Sequence, residues 1–260
     1  MTQPHPTLSA IVITRNEAHN LHDCLQSMQG LADEIIVVDS QSTDATVNIA
    51  LQHGAKVSQP ADWPGFGLQK NRALDLATCD WVLSIDADER VTPELAAEIK
   101  QVLQATHTDV AYKLPRLSSY CGKFIHHSGW QPDYVLRLFK RGTARFSDDL
   151  VHERVVTQQP VHALQNHLLH YSYLSFSQVL QKVDAYSSAS ANHAYARGKR
   201  SSISGAVGHG AWAFFRTYVI RRGFLDGAHG LALAISNAET SYYKYLKMWQ
   251  MQQTEVAATK

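Results

Sequence analysis

At 260 residues, with 45% hydrophobic and 18% charged side chains, the chain can bury a full core and has the composition of a globular protein. Disorder and a collagen-like fibre are excluded, and a net charge of only +1 gives no reason to expect a nucleic-acid partner. The charge is unevenly spread: residues 1–100 carry −8, residues 101–198 carry +4 and residues 199–260 carry +5, so an acidic third suits a metal and the remainder suits phosphates or a lipid surface.

Cys24, Cys79 and Cys121 have no metal-ligand spacing and an odd count, and are read as reduced thiols in a reducing compartment. Residues 1–9 lack the basic and apolar regions of a signal peptide, and no stretch approaches the roughly 18 apolar residues of a membrane span. A cytoplasmic location is therefore expected.

In chain order, Leu8–Thr14 is a β-branched run emptying into the polar loop Arg15-Asn16-Glu17, which reads as a buried strand. Leu21, Leu25 and Met28 recur at a helical period that Gly30 ends. A second apolar strand, Glu34–Asp39, closes on a carboxylate, and Ser40–Asp44 turns into a helix through Ile49. This alternation predicts an α/β fold with a mostly parallel sheet covered by helices on both faces. Ligands of such sheets bind beyond the carboxyl ends of the strands. Asp39 there can accept from a ribose or a base, or it can cap a helix, a role for which Asp44 is better placed. Neither GxGxxG nor GxxxxGK[ST] follows the first strand, which argues against a dinucleotide fold and a P-loop.

Trp81–Asp88 reads as a further buried strand that ends in Asp86-Ala87-Asp88. If the triplet is extended, both carboxylates face one side while Ala87 faces away. Such hard oxygen ligands suit Mg²⁺ or Mn²⁺ carrying a substrate diphosphate, although an Asp-x-Asp triplet is also a common solvated turn. Lys70 and Arg72 precede it, either as diphosphate contacts or as surface charges on the helix through Leu76.

Four blocks together resemble family 2 glycosyltransferases: residues 11–17 (IVITRNE), 36–44 (IVVDSQSTD), 63–74 (WPGFGLQKNRAL) and 85–89 (IDADE). More narrowly they resemble the lipopolysaccharide-core β-1,4-glucosyltransferase branch, and with later blocks the similarity runs to about residue 248. The resemblance implies a GT-A, Rossmann-like fold over 1–173 and inversion at the anomeric carbon, with a UDP-sugar as donor and a core heptose as acceptor. Thr14, Asn16, Glu17 and Asp39 would then line the nucleoside pocket, and Asp86 and Asp88 would hold the metal. The same similarity makes Glu153, after an Arg-Leu-Phe strand, the first choice of catalytic base, and gives His170 as a metal or diphosphate ligand.

Inversion in one displacement needs a base for the acceptor hydroxyl, and Asp149 and Glu153 both qualify chemically. Trp130 is read either as an aromatic platform for the acceptor or as a buried anchor. His126, His127, His162 and His167 are taken as structural or surface residues.

From Ser175 onward the pattern turns helical, which sets off residues 174–260 as a helical extension. A break is expected over Gly198–Gly210, followed by a helix from Ala211 to Arg222. Its mixture of aromatics and arginines fits either a helix lying in a membrane surface or a packing helix with a basic outer face. Rival functions are a transferase acting on a polyprenyl-phosphate or capsule acceptor, a sugar nucleotidyltransferase, and a non-catalytic sugar-binding module. The nucleotidyltransferase would want a Gly-rich phosphate loop after the first strand, where Arg15-Asn16-Glu17 stands instead. The binding module has no need of a base.

Overall fold

The computed structural model describes residues 6–105, 110–148 and 153–258. The chain divides into two compact units, the first of residues 1–116 and 133–170, the second of residues 117–132 and 171–260.

The first unit opens with β1 (Leu8–Thr14), α1 (Ala18–Ser27), β2 (Glu34–Asp39), α2 (Thr46–Gln52), β3 (Lys56–Ser58), α3 (Phe66–Asp75) and β4 (Trp81–Ser84). These strands pair in parallel in the order β3-β2-β1-β4. Register places Thr14 beside Asp39, while the Ile85 amide bonds to the Ile11 carbonyl (3.0 Å), so three strand ends fall on one edge. Both faces are covered, which is why β1, β2 and β4 read as continuous apolar runs. One core gathers Leu8, Val12, Leu21, Leu25, Val37, Leu83 and Ile99, and the other gathers Ile11, Ile36, Val38, Leu74, Val82 and Phe139.

Next come β5 (Glu89–Val91) and α4 (Pro93–Leu103), whose first turn is capped by Thr92 Oγ1 accepting from the Leu95 amide (3.1 Å). β6 (Ala111–Tyr120) follows, its residues from Leu117 on counted with the second unit, as is the short β7 (Lys123–Phe124). β8 (Tyr134–Lys140) runs antiparallel to both β4 and β6. β9 (Ala144–Phe146) and β10 (Val155–Thr157) pair antiparallel, and β11 (Val161–Ala163) lies parallel to β6. β12 (Leu168–Tyr173) pairs antiparallel with β5, setting His170 opposite Glu89.

The second unit is built mainly of α5 (Phe176–Ala196), α6 (Ile203–Phe215) and α7 (Gly227–Ala258). Between α6 and α7 stand a π-helical turn, Arg216–Ile220, and a 3₁₀ turn, Gly223–Asp226. α6 therefore begins inside the expected break, because Ser202 caps it by accepting from the Gly205 amide (3.0 Å). The helix expected over 211–222 is instead the end of α6 continued by the π turn. No helix among the described residues is long and apolar enough to cross a membrane.

Candidate active site

β4 ends at Ser84, and Asp86-Ala87-Asp88 lies in the turn between β4 and β5. The expectation of an extended triplet with both carboxylates on one strand face is thus corrected. Buried Glu89 bends the chain back: its Oε2 accepts from the Asp86 amide (2.9 Å), and the Glu89 amide bonds to the Asp86 carbonyl (2.9 Å). Asp86 and Asp88 nevertheless line one cavity of about 520 Å³, at the end of the sheet where β1 and β4 finish. Its walls also include Thr14, Arg15, Glu17, Lys70, Glu153 and His170, with Trp63 and Phe66 in edge-to-face contact (5.0 Å).

α3 delivers Lys70. Its Asn71 side chain makes two 2.9 Å hydrogen bonds with the Phe146 backbone, donating to the carbonyl and accepting from the amide, and so ties the helix to β9. Gly67 is required there, since a Cβ would stand 1.9 Å from the Ser147 carbonyl oxygen and 3.5 Å from the Glu153 Cβ. With that approach open, Lys70 Nζ reaches Asp86 (2.9 Å) and Glu153 Oε1 (3.0 Å) while its side chain is almost wholly buried.

Behind Asp86 stands Arg137 on β8, which pairs with Asp86 and, at 2.8 Å, with Glu89 Oε1. Arg116 adds a longer contact to Glu89 (3.6 Å) and binds Asp133 (2.9 Å). Burial disfavours the charged form of Asp86 most, but Arg137 and Lys70 outweigh it and hold the carboxyl well below its ordinary range. Glu89 moves upward because burial dominates there and the neighbouring Asp86 charge adds to it, against Arg137. Glu17 also rises, chiefly through burial.

Asp88 turns away from this network, placing its Oδ2 3.2 Å from His170 Nε2. The two side chains therefore present a carboxylate oxygen and an imidazole nitrogen to the same point of the cavity wall, and together would hold a divalent ion there. A carboxylate with an imidazole is a set that Mn²⁺ accepts readily, whereas Asp86 is already engaged by two cations. Among the described residues no group of three His, Cys, Asp or Glu is placed to hold a metal. An ion here would need oxygens from its substrate. The cavity's four carboxylates against Arg15 and Lys70 make that demand stronger, because a diphosphate entering alone would meet excess negative charge.

Other expected ligands play different parts. Asp39 is fully buried and accepts from Thr14 Oγ1 (2.9 Å), the Ser42 amide (2.9 Å) and hydroxyl (2.5 Å), and Gln59 Nε2 (3.1 Å). Asn16, at φ 56°, donates its amide to Ser42 Oγ (2.7 Å) and accepts from the Thr43 amide (2.8 Å). Both organise the loops beyond β1 and β2. Arg72 is turned to Asp62 (2.7 Å) and does not line the cavity. Trp130 belongs to the second unit, stacked on Tyr173 at 6.0 Å and edge-on to Tyr120. Asp149 lies outside the described residues. Sequence reasoning missed Glu89 and Arg137, which orient Asp86, and the aromatic wall of Trp63 and Phe66. The last two stand inside the 63–74 block, where aromatics beside Pro and Gly were the available signal.

These features define the class of the protein, an α/β domain with a charged cavity at the carboxyl ends of its parallel strands. The family profile "Glycosyl transferase family 2" matches residues 9–163. An "Uncharacterized glycosyltransferase" of Rickettsia felis is 33% identical over 258 residues, covering 93% of this chain and 89% of the relative. The "Lipopolysaccharide core biosynthesis glycosyltransferase LpsC" of Rhizobium meliloti is 29% identical over 259 residues, covering 95% and 93%. Among solved structures, S. aureus TarS 1-349 is similar with a TM-score of 0.49 at 18% identity, over 69% of this chain and 62% of that one. The chain belongs to glycosyl transferase family 2.

Proposed function

We propose that the protein is an inverting, metal-dependent hexosyltransferase that moves glucose from UDP-glucose to a heptose of the lipopolysaccharide inner core. The observation that carries this reading is the position of Glu153, whose carboxylate is held by Lys70 in the wall of the 520 Å³ cavity. Glu153, Lys70 and Asp86 also line a second cavity of about 350 Å³, walled by Tyr134, Arg137 and Arg154. A donor in the first cavity and an acceptor in the second meet at this carboxylate.

Glu153 takes the proton from the acceptor hydroxyl as its oxygen bonds to the anomeric carbon, and the bond from that carbon to the diphosphate breaks on the opposite face. Configuration inverts, and UDP leaves with the bonding electrons. Lys70 and Arg15 offer positive charge to the leaving group, and Trp63 with Phe66 offers an aromatic face to the sugar or the base. Mg²⁺ or Mn²⁺ held by Asp88 and His170 supplies Lewis-acid neutralisation of the diphosphate when bound. Thr14 and Glu17 contact the donor, while Asp39 and Asn16 hold the loop that shapes its pocket.

We assign transfer to residues 1–173 and contact with the inner face of the cytoplasmic membrane to residues 174–260. The LpsC relative supports a core acceptor, and the exposed apolar side chains of α6 support the membrane surface. The test is a transfer assay of the full chain across UDP-sugars, with a truncated core ending in heptose, in Mn²⁺ and after chelation. Glucose transfer that stops on chelation, and that Asp88→Ala abolishes along with metal-dependent UDP binding, is the expected result. Transfer insensitive to chelation overturns the metal, and transfer only to a polyprenyl phosphate overturns the acceptor.

A further inference from the structure

The helical unit contains a cavity of about 390 Å³ that the transfer chemistry leaves unused. Arg216, Arg221 and Lys244 line it together with Trp130 and a group of hydroxyl and amide side chains from α5 and α7. No carboxylate is in its wall, and none of the three cations is ion-paired among the described residues. A pocket of uncompensated cations and neutral hydrogen-bonding groups is built for an anion.

Two local features assemble it. In an α-helix residues five apart diverge by about 140° around the axis. Here the Arg221 amide instead bonds to the Arg216 carbonyl (2.8 Å), closing the π turn, and both arginines line the one cavity. Gly129, at φ 81°, then leaves room for the Arg221 side chain, because a Cβ there would lie 2.3 Å from Arg221 Cδ. The Ser128 amide fixes the same arginine by bonding to its carbonyl (2.9 Å).

The surroundings identify the kind of anion. α6 and the π turn are inverted in polarity: small Ala206, Gly210 and Thr217 are buried, while Val207 (55%), Trp212 (54%) and Ile220 (54%) are exposed, as are Phe215 and Val219. Large apolar side chains thus adjoin Arg216 and Arg221 directly in the chain. This arrangement meets a bilayer boundary, with rings and branched chains among the acyl groups and cations at the phosphates. A second copy of the same face would set cation against cation.

We infer that this cavity binds the phosphate of an anionic lipid headgroup and so seats the helical unit on the membrane. The inference rests on the membrane-surface reading proposed above and adds the site that selects the lipid. It is tested by co-sedimentation of the full chain with vesicles of phosphatidylcholine, with and without phosphatidylglycerol. R216Q/R221Q/K244Q is compared with R197Q/K199Q/R200Q, which removes equal charge elsewhere in the unit. At about fivefold per cation near an anionic surface, the cavity triple is expected to lose about a hundredfold in affinity for the phosphatidylglycerol vesicles, and the control triple less than about threefold. W212S/F215S is expected to weaken binding to both vesicle types. Equal losses in the two triples overturn the cavity and leave the membrane reading standing, and absence of sedimentation with either vesicle overturns both. If the cavity triple does not fold, the single K244Q variant, expected to lose about fivefold, carries the same test.

Discussion

Replacing Arg137 with methionine keeps most of the side-chain volume and removes the cation between Asp86 and Glu89. The consequences for the two carboxylates differ. Asp86 is partly exposed and keeps Lys70 at 2.9 Å, whereas Glu89 has no exposed surface and, among the described residues, keeps the 3.6 Å approach of Arg116 and the more distant His170. The uncompensated charge therefore falls on Glu89, and breaking a buried pair in this way costs about 3–5 kcal/mol. Burial already raises the proton affinity of Glu89, so the variant escapes part of the penalty by protonating it. The loss should be largest at neutral to alkaline pH and shrink as the solution is acidified. Urea unfolding of wild type, R137M, E89Q and R137M/E89Q closes a double-mutant cycle, in which the double variant should recover most of what R137M loses. A double variant no more stable than R137M would refute the assignment of Glu89 as the stranded charge.

Two further outcomes follow from the geometry. Glu153→Gln keeps an oxygen for Lys70, so UDP affinity should stay within about threefold while single-turnover transfer falls by about 10²–10⁴, the usual worth of a general base. If Asp149→Asn is the inactive variant instead, the base has been misassigned. Glu34 accepts from Ser9 Oγ (2.6 Å), the Thr78 amide (2.9 Å) and Lys56; burial opposes its ionised form, but these donors prevail and bring the carboxyl from 4.5 to about 2. A depressed folded value stabilises above the unfolded one, so about 3 kcal/mol is fully present above about pH 5 and lost as pH falls through about 2. Glu34→Gln should lack this acid-sensitive part, and parallel loss of stability in wild type and variant between pH 5 and pH 3 would count against it.

Much of the parallel sheet was legible in the chain because β1, β2 and β4 are covered on both faces, and a strand so buried must be apolar throughout. The same logic placed Thr14, Asp39 and Asp86 at one edge, since a parallel sheet brings its carboxyl ends together whatever its exact register. What local pattern could not reveal was where those carboxylates turn. Whether Asp39 meets a ligand or holds a loop depends on Ser42 and Gln59 reaching it first, and whether Asp86 is free depends on Lys70 and Arg137 arriving from α3 and β8.

The 198–210 segment shows the opposite limit. Its glycines and serines read as a break, yet Ser202 caps a helix and Gly210 is buried within it, so packing against α7 overrides a weak local preference. Sequence alone determined the fold class and the edge of the sheet where chemistry gathers, because apolar periodicity and strand-end polarity are properties of short segments, and it carried the family through the resemblance of four such blocks. Only the tertiary structure paired Asp88 with His170, closed Lys70 onto Glu153 through Gly67, and laid the Arg221 side chain against Gly129. Each of these joins is set by distances between groups whose approach no local pattern encodes.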